Sequence, residues 1–467
     1  MTRNLADQIL HAEANRPSVK QRMAEGKALR QTIPRDVHGD YAVPADRQDP
    51  IKILETQAET RLPFLVPVRY ARMLASPFAY LRGAAATMIS DIAPAPTTGL
   101  EVTACGDMHV ANFGVFASAE RNLVFGINDF DEGHRGAWEW DLKRLVASAV
   151  VAGRFLGGNE RYCNEAARAA VKTYRKALRE YAHMGYMELW YANINEKALL
   201  EALPAKNRKQ AAKTLSKARQ RTHLQVLDKM TDLVDNQQRI VEIRPLIVRE
   251  TKTALGTPLV DALRLSLQDY MASLSVERQF LLSRYHIVDI ARKVVGVGSV
   301  GTRCWMIYLQ GRDSKDPLFL QLKEARLSVL EPYAAPTVFE NQGQRVVTCQ
   351  RQIQGAPDIF LGWGEWEGIQ FYVRQLRDMK GSAEFKQGDS NFDLSNYCKL
   401  CGWALALAHA KSGDPARLAG YVGKSEELDE ALVRFGNAYA DQTERDYELL
   451  QAAAAQGRIP VAEGDVL

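Results

Sequence analysis

Strand-like and helix-like stretches of this chain are segregated, and that segregation limits the fold more than any composition does. Strand patterns occur at residues 100–131 and again from His286 onward, and the long interval 138–285 between them reads as helical. A doubly wound parallel sheet needs strands and helices in alternation, so this order argues for an α+β fold. The first strand block contains LEVTACGD, NFGVFAS and NLVFGINDF, with Ala119-Glu120-Arg121-Asn122 as the turn between the last two. The second contains HIVDIARKVVGVGSVGTRCWMIYLQG and DPLFLQLKEA, rich in β-branched and aromatic residues. It closes with a hairpin from DIFLGW through GEWEG to IQFYVRQLRD. Helical patterns return in NYCKLCGWALALAHA and in about two more helices between Ser425 and Ala455.

Four segments follow from this order. Residues 1–60 are a polar extension with one or two short helices. Residues 61–285 form a helical lobe that carries the first strand block. Residues 286–380 form a β-rich lobe, and residues 381–467 are helices that complete the helical lobe. A chain of 467 residues can bury a large core without disulfides or metals. The six cysteines are too dispersed for a disulfide framework, and Cys398-Lys399-Leu400-Cys401 lacks the second pair a zinc site needs, so it reads as a buried helix face. The densest apolar run, Leu145–Gly153, is far too short for a membrane span, and the N-terminus lacks an apolar signal core. The expectation is a cytoplasmic, reducing compartment and no membrane.

The net charge of +4 does not demand nucleic acid and suits an anionic small molecule. Lys206–Arg221 carries seven positive charges without interleaved aromatics, which reads as a solvated helix face.

The sharpest chemistry lies in Cys105-Gly106-Asp107-Met108-His109-Val110-Ala111-Asn112. An Asp on a loop followed five residues later by an Asn is the spacing of a kinase catalytic loop. The Asp accepts a proton from an attacking hydroxyl, and the Asn turns back to bind a metal that bridges phosphates. Seventeen residues beyond Asn112 stands Asp129, and an intervening hairpin would return it beside Asn112. Its carboxylate is the hard oxygen ligand that Mg²⁺ prefers. Far downstream, Gly296-Val297-Gly298-Ser299-Val300-Gly301 is a GxGxxG run. A Rossmann run opens a helix, whereas this one sits between two strand patterns, as in a loop covering ATP phosphates with Gly296, Gly298, Ser299 and Gly301. Lys323 closes the next apolar strand, where an amine suits a phosphate anchor.

These motifs resemble the aminoglycoside phosphotransferase and choline kinase branch of the protein-kinase-like fold. Gly106–Asn112 resembles that branch's catalytic loop, with Asp107 as base. Ile127-Asn128-Asp129-Phe130-Asp131 resembles its metal-binding motif. Ala137-Trp138-Glu139-Trp140-Asp141-Leu142 resembles the segment whose Asp braces the catalytic loop, here Asp141. From about Arg61 onward the chain also resembles an uncharacterised bacterial domain-of-unknown-function family, through Ser76–Gly83, the catalytic-loop region, Val294–Gly301 and Phe371–Asp378. The resemblance implies a bilobal kinase-like fold in circularly permuted order, because the catalytic loop precedes the glycine loop. Joining the end of a helix over Tyr397–Ala410 to residue 102 would restore the usual order. Cys105 stands where the relatives have a His. The carboxylate that normally pairs with the strand lysine has two candidates, Glu331 and Glu340.

The implied activity is ATP- and Mg²⁺-dependent phosphoryl transfer to an unknown hydroxyl or amino acceptor, either a small molecule or a protein. AMP transfer and non-catalytic nucleotide binding are the alternatives. An acceptor pocket is expected from residues 60–95 and the helices of 140–285. Arg82 is open between gripping an acceptor anion and forming an internal ion pair, while Arg69 and Arg72 read as surface or internal ion pairs. His109 reads as a structural loop residue. His38-Gly39-Asp40 mimics a catalytic loop but lacks the Asn, and the DxH at Asp107–His109 lacks the further histidines of a dinuclear phosphatase. Oligomeric state leaves no sequence signal.

Overall fold

The computed structural model describes residues 17–220, 227, 230–234, 237–250, 267–355, 357–376 and 379–463. Short helices lead in: α1 (Val19–Ala28), α2 (Pro50–Glu59), α3 (Val66–Met73), α4 (Pro77–Gly83) and α5 (Ala85–Ile92). Local chemistry sets three of their starts. The side chains of Ser18, Asp49 and Ser76 accept from the N–H groups of Gln21, Ile51 and Ala79, and Pro50 and Pro77 open their helices without a wasted donor.

The first strand block follows as β1 (Glu101–Ala104), β2 (Phe113–Ala117), β3 (Leu123–Ile127) and β4 (His134–Ala137). Strand β1 pairs antiparallel with β4, and β2 pairs with β3. Then come α6 (Trp138–Phe155), α7 (Glu160–Tyr181), α8 (Tyr186–Tyr191), β5 (Ile194–Asn195), α9 (Glu196–Ala202) and α10 (Ala205–Gln220). Most of α10 is exposed, as its charge pattern requires; Arg221 lies outside the described residues.

Strands β6 (Thr231–Val234), β7 (Gln237–Ile240) and β8 (Ile247–Arg249) precede α11 (Val276–Leu282). The large sheet is completed by β9 (His286–Lys293), β10 (Cys304–Gln310), β11 (Pro317–Glu324), α12 (Gln342–Gln354), β12 (Gly362–Trp366) and β13 (Ile369–Gln375). After β14 (Gly381–Ser382), the chain ends in α13 (Leu394–Ser412), α14 (Pro415–Val422) and α15 (Glu427–Ala455). The large antiparallel sheet runs β12-β13-β11-β10-β9-β8, and a smaller one runs β14-β2-β3-β5.

The fold is therefore α+β, with two departures from the expected pattern. The interval 138–285 is not wholly helical. It contains β5 to β8, and β8 joins the large sheet by pairing Ile247 with Lys293 and Val248 with Arg292. Such short strands owe their identity to their partners more than to their own residues, so the sheet begins before His286. Between Ser425 and Ala455 a single 29-residue helix runs instead of two. Gly436 does not break it, because the residue is pressed against α6, where an added Cβ would lie 3.2 Å from Val150 and 3.3 Å from the Val146 carbonyl.

Alternation along β11 sorts its side chains onto two faces. Leu318, Leu320 and Leu322 enter one apolar cluster with Ile307, Phe371 and Val373. Phe319, Gln321 and Lys323 point to the opposite face. Helix α12 packs against β12, β13 and α13, and so joins the sheet to the helical body. That body is built on α7 against α13 and α6, with α15 alongside. Cys398 and Cys401 are both fully buried in it, consistent with a packed helix face. No helix among the described residues is long and apolar enough to cross a membrane.

The segment before Arg61 is fastened to this body. Arg47 donates to both Asp91 oxygens at 2.7 and 2.8 Å and to both Asp446 oxygens at 2.8 and 2.6 Å. Both carboxylates are almost fully buried. Removing the shared cation strands two buried anions, a loss of about 3–5 kcal/mol. Arg47→Met should therefore lower the denaturant midpoint steeply, whereas Arg161→Ala, in an exposed pair with Glu165, should shift stability by less than about 1 kcal/mol. Equal effects in unfolding titrations would contradict this assignment.

Candidate functional site

The loop after β1 is held from beneath by a single carboxylate. Asp141, in the first turn of α6, accepts from the N–H of Cys105 at 2.6 Å and of Gly106 at 2.9 Å. Gly106 has φ +73, and an added Cβ would lie 2.9 Å from Glu132, so a side chain is excluded both by conformation and by space. His409 on α13 places its Nε2 3.3 Å from Asp141, and its Nδ1 lies 2.8 Å from the hydroxyl of Tyr174. Asp141 and His409 are fully buried, so this carboxylate–imidazole–phenol chain satisfies a charge that water cannot reach. The brace role expected of Asp141 matches these contacts.

Asp107 lies in the loop with its side chain about a fifth exposed. Arg144, three residues after Asp141 on the same helix, donates through Nε to Asp107 Oδ1 at 2.7 Å and through a terminal nitrogen to the Leu81 carbonyl at 2.9 Å. Burial pushes the Asp107 carboxyl upward, and Arg144 and Arg82 pull against that shift. With Oδ1 held, Oδ2 is the oxygen left for other chemistry; it lies 3.7 Å from His109 Nε2. His109 is buried and its affinity for a proton is far below normal, so it stays a neutral loop residue. Asn112 Nδ2 donates to the Asp107 carbonyl at 2.7 Å, which fixes the direction of its amide oxygen.

The β2–β3 hairpin performs the return that the spacing implies. Phe113 pairs with Ile127, and the Asn128 N–H donates to the Asn112 carbonyl at 2.9 Å. Asp129 thus emerges beside Asn112. Burial and the neighbouring Asp131 raise the Asp129 carboxyl above its usual range, opposed by Lys323 and Arg374.

The partner of Lys323 differs from expectation. Its ammonium is ion-paired with Asp131 rather than with Glu331 or Glu340. Glu331 instead accepts from the Thr337 N–H, and the Glu340 carbonyl accepts from Gln370. Tyr372, opposite Lys323 in the β11–β13 register, donates to Asp131 Oδ1 at 2.7 Å, and Ser299 donates to Oδ2 at 3.2 Å. Burial alone would raise Asp131; Lys323 and Tyr372 hold it below the ordinary carboxylate range. Where a carboxylate was sought on the helix after the lysine strand, α12 presents Arg345. Its guanidinium donates to the carbonyls of Gly133, of Asp131 at 2.9 Å and of Arg326 at 2.7 Å.

The glycine run joins β9 to β10 and settles over the loop of residues 105–112. An added Cβ on Gly298 would lie 3.2 Å from the Arg82 carbonyl and 4.0 Å from Asp107 Oδ2. Gly301, with φ +92, backs onto Arg61, and its carbonyl accepts from the Leu62 N–H at 2.8 Å. Arg72 donates to the Gly296 carbonyl at 2.6 Å, and buried Arg69 donates to the Gly83 carbonyl at 2.9 Å. Both bind backbone oxygens.

A cleft of about 630 Å³ is lined by Asp107, Asn112, Asp129, Gly296, Gly298 and Ser299, among others. Lys323 and Gly301 are not on its surface; Lys323 lies under Asp131. Further lining residues come from 56–61, 82–85 and 324–332, and among the described residues of 140–285 none lines this cleft. Among the described residues no cluster of three or more His, Cys, Asp or Glu side chains forms a metal cage. Asp129 and Asn112 offer two oxygen donors, a set that fits only a cation keeping other oxygen ligands, as Mg²⁺ does on phosphates.

A family model described as an uncharacterized protein conserved in bacteria matches residues 61–453. The chain belongs to the DUF2252 family. No curated protein and no solved structure matches it. The DUF2252 match begins at Arg61, the residue packed on Gly301, and encloses every motif of the cleft. Thr56, Gln57 and Thr60, before the match, still line it. Of the shared stretches, Arg377 and Asp378 lie outside the described residues.

Sequence reasoning missed Asp131, Arg144, Arg345 and Glu132. Two of these had a signal: Asp131 repeats the acid two positions after Asp129, and Arg144 shares a helical face with Asp141. Glu132 accepts from the Val329 N–H at 2.8 Å, and burial raises its carboxyl from about 4.5 to about 7. Between those values the folded state holds a proton that the unfolded state has released, so stability falls as pH rises through the window. Glu132→Gln removes that slope. Its stability relative to the parent should climb between about pH 4.5 and 7 and stay level on either side; parallel melting-versus-pH curves would refute the assignment.

Proposed function

We propose that this protein is an ATP- and Mg²⁺-dependent phosphotransferase of protein-kinase-like fold, with its two catalytic segments in permuted order. The observation that carries the reading is the meeting of Lys323 with Asp131, two residues beyond Asp129, directly beside the cleft that holds Asp107 and Asn112. The order of the large sheet supports it. A glycine loop joins β9 to β10, the lysine follows on β11, and α12 separates β11 from β12. Kinases place the loop, the lysine and the next helix in that succession. The permutation is supported by a short junction, since the Thr103 N–H donates to Ser412 Oγ at 3.0 Å at the end of α13.

The acceptor oxygen attacks the γ-phosphorus of ATP, the bond from that phosphorus to the bridging oxygen breaks, and ADP leaves. Asp107 Oδ2 takes the acceptor's proton, and Arg144 fixes the other oxygen of the carboxylate. Mg²⁺ held by Asp129 and Asn112 would supply charge neutralisation on the phosphates. Lys323, released from Asp131 or shared with it, anchors the same phosphates. The backbone N–H groups of 296–301 cover them.

The reading departs from the kinase pattern at α12, whose expected carboxylate is replaced by Arg345. AMP transfer would use the same side chains, so product mass separates the two. Incubation with Mg·ATP and a panel of hydroxyl and amino acceptors should yield ADP and an acceptor heavier by one phosphoryl group. An adenylyl adduct would transfer the assignment to AMP chemistry. Asp107→Asn should lower turnover by about 10²–10⁴-fold while leaving nucleotide affinity near that of the parent. At 100 times Kd, Mg·ATP should stabilise the protein by about 2.7 kcal/mol. Absence of any nucleotide-dependent stabilisation would overturn the reading.

A further inference from the structure

We propose that the acceptor in this cleft is itself an anion, a phosphorylated hydroxyl compound, gripped by Arg61, Arg82 and Arg326; the inference rests on the phosphotransferase reading for the identity of the acceptor but not for the anion site. The three arginines line one cleft. Among the described residues none of them forms an ion pair. Arg61 is 9% exposed, and its Nε has no hydrogen-bond partner. One of its terminal nitrogens donates to the Val300 carbonyl at 2.5 Å. Arg82 stacks over Phe78 at 5.9 Å, and its buried Nε is likewise without a partner.

Elsewhere in the molecule several buried arginines are compensated by carboxylates, while buried Arg69 and Arg345 spend their donors on backbone carbonyls. Arg47 has Asp91 and Asp446, Arg144 has Asp107, and Arg175 has Asp429. A buried cation without an anion is costly, and several in one cavity repel each other. Burial, Arg69 and Arg326 all weaken the proton affinity of Arg61, and burial does the same at Arg82. The nearby carboxylates relieve this only in part: Asp107 acts on Arg82, and Glu132 and Glu324 act on Arg61. Glu324 is paired with Arg303 at 3.2 Å, and Glu132 is partly protonated near neutral pH. The guanidinium fork matches phosphate oxygens two at a time, and a dianion suits more than one fork. The nucleotide's own phosphates are already provided for by Lys323, Asp129, Asn112 and the glycine loop, so the arginine wall is left for a second anion. This differs from the cationic acceptors that the names of the resembling enzymes suggest.

The test titrates inorganic phosphate by calorimetry into the full chain, first alone and then saturated with Mg²⁺ and a non-hydrolysable ATP analogue. Parent, Arg82→Gln and Arg326→Gln are compared, with thermal melts confirming that the variants fold. The expected result is phosphate binding to the nucleotide-loaded parent, weakened about tenfold or more in each variant. Nucleotide affinity should stay within about twofold. Phosphate binding that competes with nucleotide would overturn the proposal, because the arginines would then hold the nucleotide. Binding unchanged in both variants, or absent from the parent, would overturn it as well. If the analogue fails to bind while phosphate binding remains arginine-dependent, the ATP reading falls and the anion site stands.

Discussion

An ion pair between Lys323 and Asp131 fastens the large sheet to the loops of 105–112 and 127–132. The lysine could not occupy its place without an anion. The lysine side chain is 3% exposed, at the end of an apolar strand, and an ammonium there without a counter-charge would shed its proton or unfold its surroundings. Tyr372 and Ser299 add hydrogen bonds to the same carboxylate from the neighbouring strand and from the glycine loop. Three separate stretches of sequence therefore converge on Asp131, and the position of Asp129 is a consequence. Arg345 completes the arrangement from α12 by holding the carbonyls on either side.

Beyond that anchor the cleft is organised by charge. Its lining includes carboxylates of the 105–112 and 127–132 segments, held by a cation or a backbone donor. It also includes Arg61, Arg82 and Arg326, which form no ion pair among the described residues. Buried charge is tolerated where partners are complete. The acidic set is nearly complete as it stands, apart from Asp107 Oδ2 and the Asn112–Asp129 oxygens. The basic set is not. On the proposed reading, such a distribution suits two anionic reactants, one beside a lysine and one beside arginines, with Asp107 as the base.

Much of the arrangement around Asn112 and Asp129 was legible in the sequence because its spacing is local. The interval from Asn112 to Asp129 is one hairpin, and a hairpin has only one way to return. The strand that ends at Lys323 was legible from its apolar residues, though Lys323 itself lies under Asp131 and off the cleft surface. Asp131 as the lysine's partner was not, since nothing in either stretch marks a contact across 192 positions of chain. Nor was Arg345, whose role is to hold carbonyls, a task any basic residue announces poorly. Strand β8 was invisible for a related reason: three residues become a strand only when β9 is there to pair with them. The same holds for residues 324–332, which line the cleft without any mark in the sequence.

The central claim is that Lys323, Asp129, Asn112 and Asp107 surround one triphosphate. A crystal structure of the full chain with Mn²⁺ and a non-hydrolysable ATP analogue, read by anomalous scattering, tests it most directly. The account predicts a manganese peak coordinated by Asp129 and Asn112 at about 2.0–2.2 Å, with the analogue's phosphates between that ion and Lys323 and its terminal phosphate facing Asp107. A nucleotide seated elsewhere, or metal density away from both side chains, would contradict it.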